Sequence, residues 1–153
     1  IKGARMWKGC RYTNEKGLTN VAFIRSQIEL IRYFFGDKEV DEIWITFPDP
    51  FLRRSRRKKR LTSPQFLQRF KPLLKDEGII HLKTDDDTLF AFTKEVIETY
   101  NHPVHLISTD VYKDQLTGPV TNIQTFYEKM WLKKGKPIKY ICFSLNKAKK
   151  NDN

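Results

Sequence analysis

The chain has 153 residues, of which 39% are hydrophobic, and this size permits one folded domain with a substantial core. Its 29 Lys and Arg exceed its 18 Asp and Glu, and the resulting net charge of +11 favours an anionic partner such as nucleic acid. No apolar run approaches the roughly 20 residues that a membrane-spanning helix needs. Two distant cysteines and three histidines also argue against a disulfide framework or a zinc site. We therefore expect a cytoplasmic protein that uses no metal and no membrane partner.

Hydrophobic periodicity and turn residues predict helices that alternate with strands. In chain order the predicted elements are helix 2–13, strand 21–24, helix 27–35, strand 43–47, a helix between 62 and 72, strand 79–84, a helix that follows 85–87 and extends to 100, strand 105–109, a loop over 116–122, helix 125–133 and strand 138–145. This alternation predicts an α/β sandwich with a mainly parallel sheet. Ligands of such sheets bind outside the carboxyl ends of the strands. That rule selects Gln27, Asp49 and Asp85, because each follows a predicted strand.

The stretch from residue 43 to residue 60 carries the most distinctive chemistry of the sequence. A predicted strand over 43–47 leads to Asp49, which lies between two prolines, and seven cations follow in the eight residues 53–60. These cations supply most of the net charge of +11, so the basicity is a local patch. An acid at a strand end beside a cationic loop is an arrangement that can present a reactive group to an anionic polymer.

Each of these features also has a simpler interpretation. Asp49 between two prolines can be a turn residue, and the basic run can be a solvated loop or a sorting signal. The carboxylates over 85–87 can stabilise the N-terminus of the next helix. Because the basic run follows Asp49 directly, we favour docking of a phosphate backbone over a solvated loop.

Four separate motifs resemble those of a single family. They are Phe47-Pro48-Asp49-Pro50-Phe51, the basic loop that ends Lys59-Arg60-Leu61-Thr62, Lys83-Thr84-Asp85, and Thr125-Phe126-Tyr127-Glu128. In order and spacing they resemble the bacterial tRNA (guanine-N7-)-methyltransferases, which methylate a guanine in the variable loop of tRNA with S-adenosylmethionine. The resemblance extends over nearly the whole chain. It implies a Rossmann-like class I methyltransferase fold with an antiparallel C-terminal strand.

The resemblance also implies a role for each matched residue. Asp49 would be the catalytic carboxylate and would contact the methyl donor, as would Gln27, which stands where the family usually has an acid. The substrate-binding residues would be Arg53, Asp85, Thr125, Phe126, Tyr127 and Glu128. The RNA-binding residues would be Ser55, Arg56, Arg57, Lys58, Lys59 and Arg60.

The family's glycine-rich donor-binding loop and first strands have no counterpart in this sequence and are expected to precede Ile1. We therefore expect residues 1–146 to form part of a methyltransferase domain and residues 147–153 to form a polar tail. Methyl transfer by this polypeptide alone is expected to be weak or absent.

Two other functions stay open at this point. The segment Pro48-Asp49-Pro50-Phe51 also resembles the Asn/Asp-Pro-Pro-Tyr/Phe motif of amino-group methyltransferases that act on adenine N6. Alternatively, the chain could be a non-catalytic RNA-binding module that relies on its basic loop. The sequence does not distinguish a monomer from a homodimer.

Overall fold

The computed structural model describes residues 3–146, which divide into two units between Phe34 and Phe35. The tail predicted over 147–153 lies outside the described residues. None of the helices within 3–146 is long and apolar enough to span a membrane. The single domain predicted over 1–146 stays a prediction.

The first unit contains one α-helix and one 3₁₀ helix. Helix α1 spans Gly3–Glu15, and the 3₁₀ helix spans Ile28–Tyr33. The strand predicted over 21–24 is wrong, because this segment has no regular secondary structure. Phe23 instead lies against α1, where its ring is 3.0 Å from the position that a Cβ on Gly9 would take. Apolar residues alone do not make a strand, since the backbone also needs a neighbouring strand for its hydrogen bonds, and none pairs with this segment within 3–146.

The second unit contains the remaining elements, whose order agrees with the predicted one. They are β1 (Val40–Thr46), a 3₁₀ helix (Arg54–Lys59), α2 (Pro64–Phe70), β2 (Leu74–Thr84), α3 (Asp87–Thr99), β3 (Val104–Ser108), α4 (Pro119–Asn122), α5 (Phe126–Lys133) and β4 (Lys139–Ser144). Strand β2 begins earlier than predicted, at Leu74, and the short helix α4 lies inside the predicted loop over 116–122. The basic run, for which no regular structure was predicted, forms the 3₁₀ helix.

The four strands form one sheet in the order β1-β2-β4-β3. Strands β1 and β2 are parallel, and β4 is antiparallel to both β2 and β3. Three strands therefore run in one direction and the C-terminal strand runs in the other, which confirms the predicted sheet. The parallel register pairs Thr46 with Lys83, so β1 and β2 end at the same edge of the sheet.

Strand β2 is the centre of the core because its second half is buried on both faces. Ile80, Leu82 and Thr84 point to one face and His81 and Lys83 to the other, and all five are at most 6% exposed. A strand covered on both faces is typical of α/β sheets. The candidate site residue Asp85, which follows β2, therefore stands at the end of a buried strand.

Candidate active site

Asp49 lies in a loop at the carboxyl end of β1, with its side chain at the surface. Its Oδ1 accepts a hydrogen bond from the backbone N–H of Phe51 at 2.9 Å, which closes a tight turn. Phe47 and Phe51 flank this turn with φ angles of 48° and 42°, a region that non-glycine residues rarely adopt. The local backbone is thus strained where it holds an exposed carboxylate at the strand end.

Arg60 ties the end of the basic run to the Asp49 loop. Its Nε donates to the carbonyl oxygen of Pro50 at 2.8 Å, and its Nη2 donates to that of Phe51 at 3.2 Å. The guanidinium also lies 4.5 Å from the ring centroid of Phe92, and the residue is only 3% exposed. Burial lowers the pKa of Arg60, and the charge of Arg57 lowers it further, but an arginine stays protonated at neutral pH.

The buried position of Arg60 differs from the RNA-binding role that the sequence suggested. Its guanidinium donors point to main-chain carbonyls, so they do not face a phosphate in this conformation. Arg57 is also engaged, because its Nη2 lies 2.7 Å from Glu95 Oε2 and its guanidinium lies 5.0 Å from the Phe92 ring. These two arginines join the 3₁₀ helix to α3.

The other residues of the basic run, called the basic segment (residues 53–60), lie at the surface. Arg53 is the residue before the 3₁₀ helix, and it is exposed, as are Arg54, Ser55, Arg56, Lys58 and Lys59. Arg60 holds this segment against the Asp49 loop, so exposed cations and the exposed carboxylate share one region of the surface. The sequence predicted that the cations and Asp49 act together, and the structure shows the hydrogen bond from Arg60 to Pro50 that joins their two segments.

The three aspartates after β2 have different partners. Asp86 caps α3, because its Oδ1 accepts from the N–H of Leu89 at 2.7 Å. Asp87 forms an ion pair with Lys139 at 2.9 Å. Asp85 is partly buried, and its Oδ2 lies 3.3 Å from the Nζ of Lys136, which is half exposed. Among residues 3–146, the Asp85 carboxylate has this long ion pair as its side-chain contact, whereas Asp86 caps a helix and Asp87 has a shorter ion pair.

Residues 125–128 start helix α5 with a capping box. The Thr125 hydroxyl accepts from the N–H of Glu128 at 3.2 Å, and Glu128 Oε2 accepts from the N–H of Thr125 at 3.2 Å. Phe126 and Tyr127 are 71% and 40% exposed, and their rings make an edge-to-face contact at 5.7 Å. Two aromatic rings at the surface beside a capped helix start are able to stack on a base.

Glu128 is completely buried, in contrast to the substrate contact that the sequence suggested. Its Oε1 lies 2.6 Å from the Nζ of Lys83 and accepts from the Tyr112 hydroxyl at 2.5 Å. Burial, followed by the hydrogen bond to Glu128, raises the pKa of Tyr112 to about 12, so the phenol stays a donor at neutral pH. Both carboxylate oxygens of Glu128 are used within the protein, on Lys83, Tyr112 and Thr125.

Sequence reasoning missed Lys83, the buried partner of Glu128. The available signal was a lysine inside a predicted apolar strand, because a buried lysine is rare unless an acid pairs with it. A cavity of about 330 Å³ lies next to this pair and is lined by Trp44, Thr46, Lys83, Pro119, Ile123 and Thr125. It opens beside the end of β1, the same sheet edge that carries Asp49.

Gln27 belongs to the first unit, where it is exposed and directly precedes the 3₁₀ helix Ile28–Tyr33. Its contact with a methyl donor stays a prediction. Within residues 3–146, no group of three or more His, Cys, Asp or Glu side chains is arranged to hold a metal ion.

The family match and the curated relatives of this chain are all methyltransferases. The family described as "Putative methyltransferase" matches residues 4–141. Curated proteins named tRNA (guanine-N(7)-)-methyltransferase are similar over 95% of this chain: that of Christiangramia forsetii is 51% identical, and those of Bacteroides thetaiotaomicron and Porphyromonas gingivalis are each 47% identical. The matched part is 65%, 57% and 59% of these relatives, respectively, so the chain spans roughly three fifths of their length. The family match covers nearly all of the described fold and includes the Asp49 loop, the basic segment and the start of α5, and the chain therefore belongs to this methyltransferase family.

Proposed function

We propose that this chain is the tRNA-recognising and catalytic part of an S-adenosylmethionine-dependent tRNA (guanine-N7-)-methyltransferase that acts in the cytoplasm. The observation that carries the proposal is the exposed Asp49 carboxylate, held against an exposed basic segment by the hydrogen bond from Arg60 to Pro50. The names of the relatives supply the substrate class.

Guanine N7 needs orientation rather than deprotonation. Its lone pair is already nucleophilic, and methylation removes no proton from that atom. Good orientation alone can lower a barrier by about 7–11 kcal/mol. S-adenosylmethionine, when bound, supplies an electrophilic methyl group on a positively charged sulfur. A rigid platform that aligns the base is therefore the main requirement on the protein.

Asp49 fits this reaction in two ways. Its carboxylate can accept hydrogen bonds from the N1 and N2 groups of guanine and can offset the positive charge that the ring gains. A surface carboxylate also suits the positive charges of S-adenosylmethionine, to which Gln27 would add an amide contact. Asp85, at the end of the neighbouring strand, would support the base from the same sheet edge.

The exposed cations would bind the tRNA backbone. Arg53, Arg56, Lys58 and Lys59 are exposed with the Ser55 hydroxyl among them, and contacts of this type go mainly to phosphate oxygens. Arg57 and Arg60 would support this surface from beneath through Glu95 and the Pro50 carbonyl. Thr125, Phe126 and Tyr127 would contact the nucleoside, and Glu128 would hold Thr125 in place.

The direct test is to identify the methylated base. Unmodified tRNA is incubated with S-adenosylmethionine and either this chain or a longer polypeptide of the relatives' full length, then digested to nucleosides for mass spectrometry. We expect 7-methylguanosine from the longer polypeptide and little from this chain. N6-methyladenosine would favour an amino-group methyltransferase, and tRNA binding without any methylated product would favour a non-catalytic RNA-binding module.

Two aspartates of β1 and its loop provide a matched pair of variants. Asp49→Asn in the longer polypeptide is expected to lower the rate of methyl transfer by about 10²-fold, because a group that stabilises developing charge is removed. Asp41→Asn is the control, since Asp41 lies at the opposite end of β1, where it forms an exposed ion pair with Lys75. Equal rates for the two variants would contradict the role of Asp49.

A further inference from the structure

The Lys83–Glu128 ion pair is almost completely removed from solvent. The two side chains are 2% and 0% exposed, and the Nζ–Oε1 distance is 2.6 Å. Such a pair loses the hydration of both charges, and it is tolerated only where further hydrogen bonds satisfy the two groups. Removal of one partner leaves a buried charge without its counterpart.

Further hydrogen bonds join this pair to three other residues. The Lys83 ammonium also donates to the carbonyl oxygen of Val120 in α4. Glu128 accepts from the Tyr112 hydroxyl at 2.5 Å and from the N–H of Thr125 at 3.2 Å. A single lysine of β2 therefore fixes α4 and the start of α5 against the sheet.

The segments that Lys83 fixes are walls of the cavity of about 330 Å³. Pro119 of α4 and Thr125 line it on one side, and Trp44 and Thr46 line it from β1. This volume lies at the lower end of the range for small-molecule sites, and the lining combines apolar surface with a few polar groups. Trp44, which is 37% exposed and stacks one indole face on His81 at 4.0 Å, and the ring of Pro119 offer apolar surface, and the hydroxyls of Thr46 and Thr125 can donate hydrogen bonds. These features suit a planar purine base.

We propose that Lys83 is a positioning residue: through Glu128 and Val120 it holds Thr125 and Pro119 at the cavity so that the cavity accepts the target guanine. The inference rests on the proposed function, because that function supplies the purine. Lys83 would act through the residues that it holds, without itself reacting.

The test compares the affinities of two tRNA transcripts, one with guanine and one with adenine at the methylated position. The ratio of the two dissociation constants reports base recognition, whereas phosphate contacts affect both transcripts equally. Lys83→Met keeps the apolar stem and removes the ammonium. We expect its preference for guanine to fall at least fivefold at a temperature where circular dichroism shows a folded protein. Lys75→Met, which removes an exposed ion pair with Asp41, is the control and should keep the wild-type ratio.

A second variant keeps the test decisive if Lys83→Met does not fold. Lys83→Met with Glu128→Gln leaves no isolated buried charge: the amide oxygen can accept from the N–H of Thr125, and the amide NH2 can donate to the Tyr112 oxygen. The bond to Val120 is absent, so this double variant should also show a reduced preference for guanine. A folded variant with the wild-type ratio would overturn the role of Lys83 while leaving the proposed function intact. A wild-type chain that binds both transcripts equally would overturn guanine recognition itself, and with it this inference.

Discussion

The Nε atom of Arg60 lies 2.8 Å from the carbonyl oxygen of Pro50. With the hydrogen bond from Nη2 to the Phe51 carbonyl, this contact joins the last cation of the basic run to the loop that carries Asp49, and it accounts for the burial of Arg60 beside the exposed Lys58 and Lys59. The run therefore has two roles: exposed side chains that can bind phosphate, and Arg60, which fixes their position relative to the carboxylate.

Arg60→Met should destabilise the second unit. The side chain is 3% exposed, and its removal would leave two main-chain carbonyls without their donors, at a cost of about 2 kcal/mol or more. Lys59→Met, an exposed neighbour, should change the free energy of unfolding by less than about 0.5 kcal/mol. Urea denaturation followed by circular dichroism measures both values. Equal stability of the two variants would show that the Arg60 side chain does not stabilise the loop.

The exposed cations should determine how steeply tRNA binding depends on salt. Removing one cation that binds a phosphate reduces the slope of log K against log[salt] by about 0.7–0.9. Arg56→Gln with Lys58→Gln should therefore lower the slope by about 1.5. Lys38→Gln with Lys75→Gln removes the same charge from side chains that form ion pairs with Asp76 and Asp41 at the amino ends of β1 and β2. This control should leave the slope near its wild-type value, and fluorescence anisotropy titrations at several salt concentrations measure it.

The Arg57→Gln substitution tests whether an arginine that already has partners within the protein contributes to the salt dependence of tRNA binding. Arg57 is paired with Glu95 and lies over Phe92, so it contributes less to phosphate binding than Arg56 or Lys58. We expect a smaller change in slope than for Arg56→Gln. A larger change would mean that Arg57 leaves Glu95 when tRNA binds.

Most of the fold could be predicted because its signals are local. The periodicity of β2 and the apolar stripe of α3 indicated each element without knowledge of its neighbours. The strand predicted over 21–24 was wrong because a strand needs a pairing partner, which hydrophobic periodicity does not reveal. Its apolar residues match a strand, but no neighbouring strand pairs with them within residues 3–146. The early start of β2 at Leu74 likewise depends on its pairing with Val40.

The site was partly predictable, and its missing parts are interactions between distant residues. Asp49 and Asp85 follow strands, and the parallel register places those strand ends at one edge. The Lys83–Glu128 pair and the hydrogen bond between Arg60 and Pro50 join residues that are far apart in the chain, and charge alone does not reveal them. Their effect was to place two residues with expected substrate or RNA contacts, Glu128 and Arg60, in the interior.

Two adjacent aspartates should separate stability from substrate binding. Asp86→Ala removes the cap of α3 and should lower the free energy of unfolding by about 1 kcal/mol. Asp85→Asn should leave it nearly unchanged, because the carboxylate contributes only a long ion pair to a half-exposed lysine. The same Asp85 variant should reduce methyl transfer to tRNA by the longer polypeptide, whereas Asp86→Ala should not reduce it under conditions where the variant is folded. The reverse pattern would assign the substrate contact to Asp86.

A buried histidine, His81, and a half-buried one, His102, should make the second unit less stable in mild acid. Burial lowers the pKa of His81 from its ordinary value of 6.5, against the opposing charge of Glu42, and burial followed by the charge of Lys71 lowers that of His102. The unfolded chain therefore takes up protons as the pH falls below 6.5, while the folded chain binds them only at lower pH. The stability that the neutral histidines provide is fully present above about pH 6.5 and is lost as the pH falls through the folded pKa values.

Urea denaturation at about pH 7.5 and about pH 5.5 should show this loss of stability, and the loss should be smaller in His81→Gln with His102→Gln. His105→Gln is the control: His105 is exposed, and its charge is the smallest of the causes that act on the pKa of His81, so this variant should retain most of the wild-type loss. An undiminished loss in the double variant would assign the acid sensitivity to the carboxylates instead.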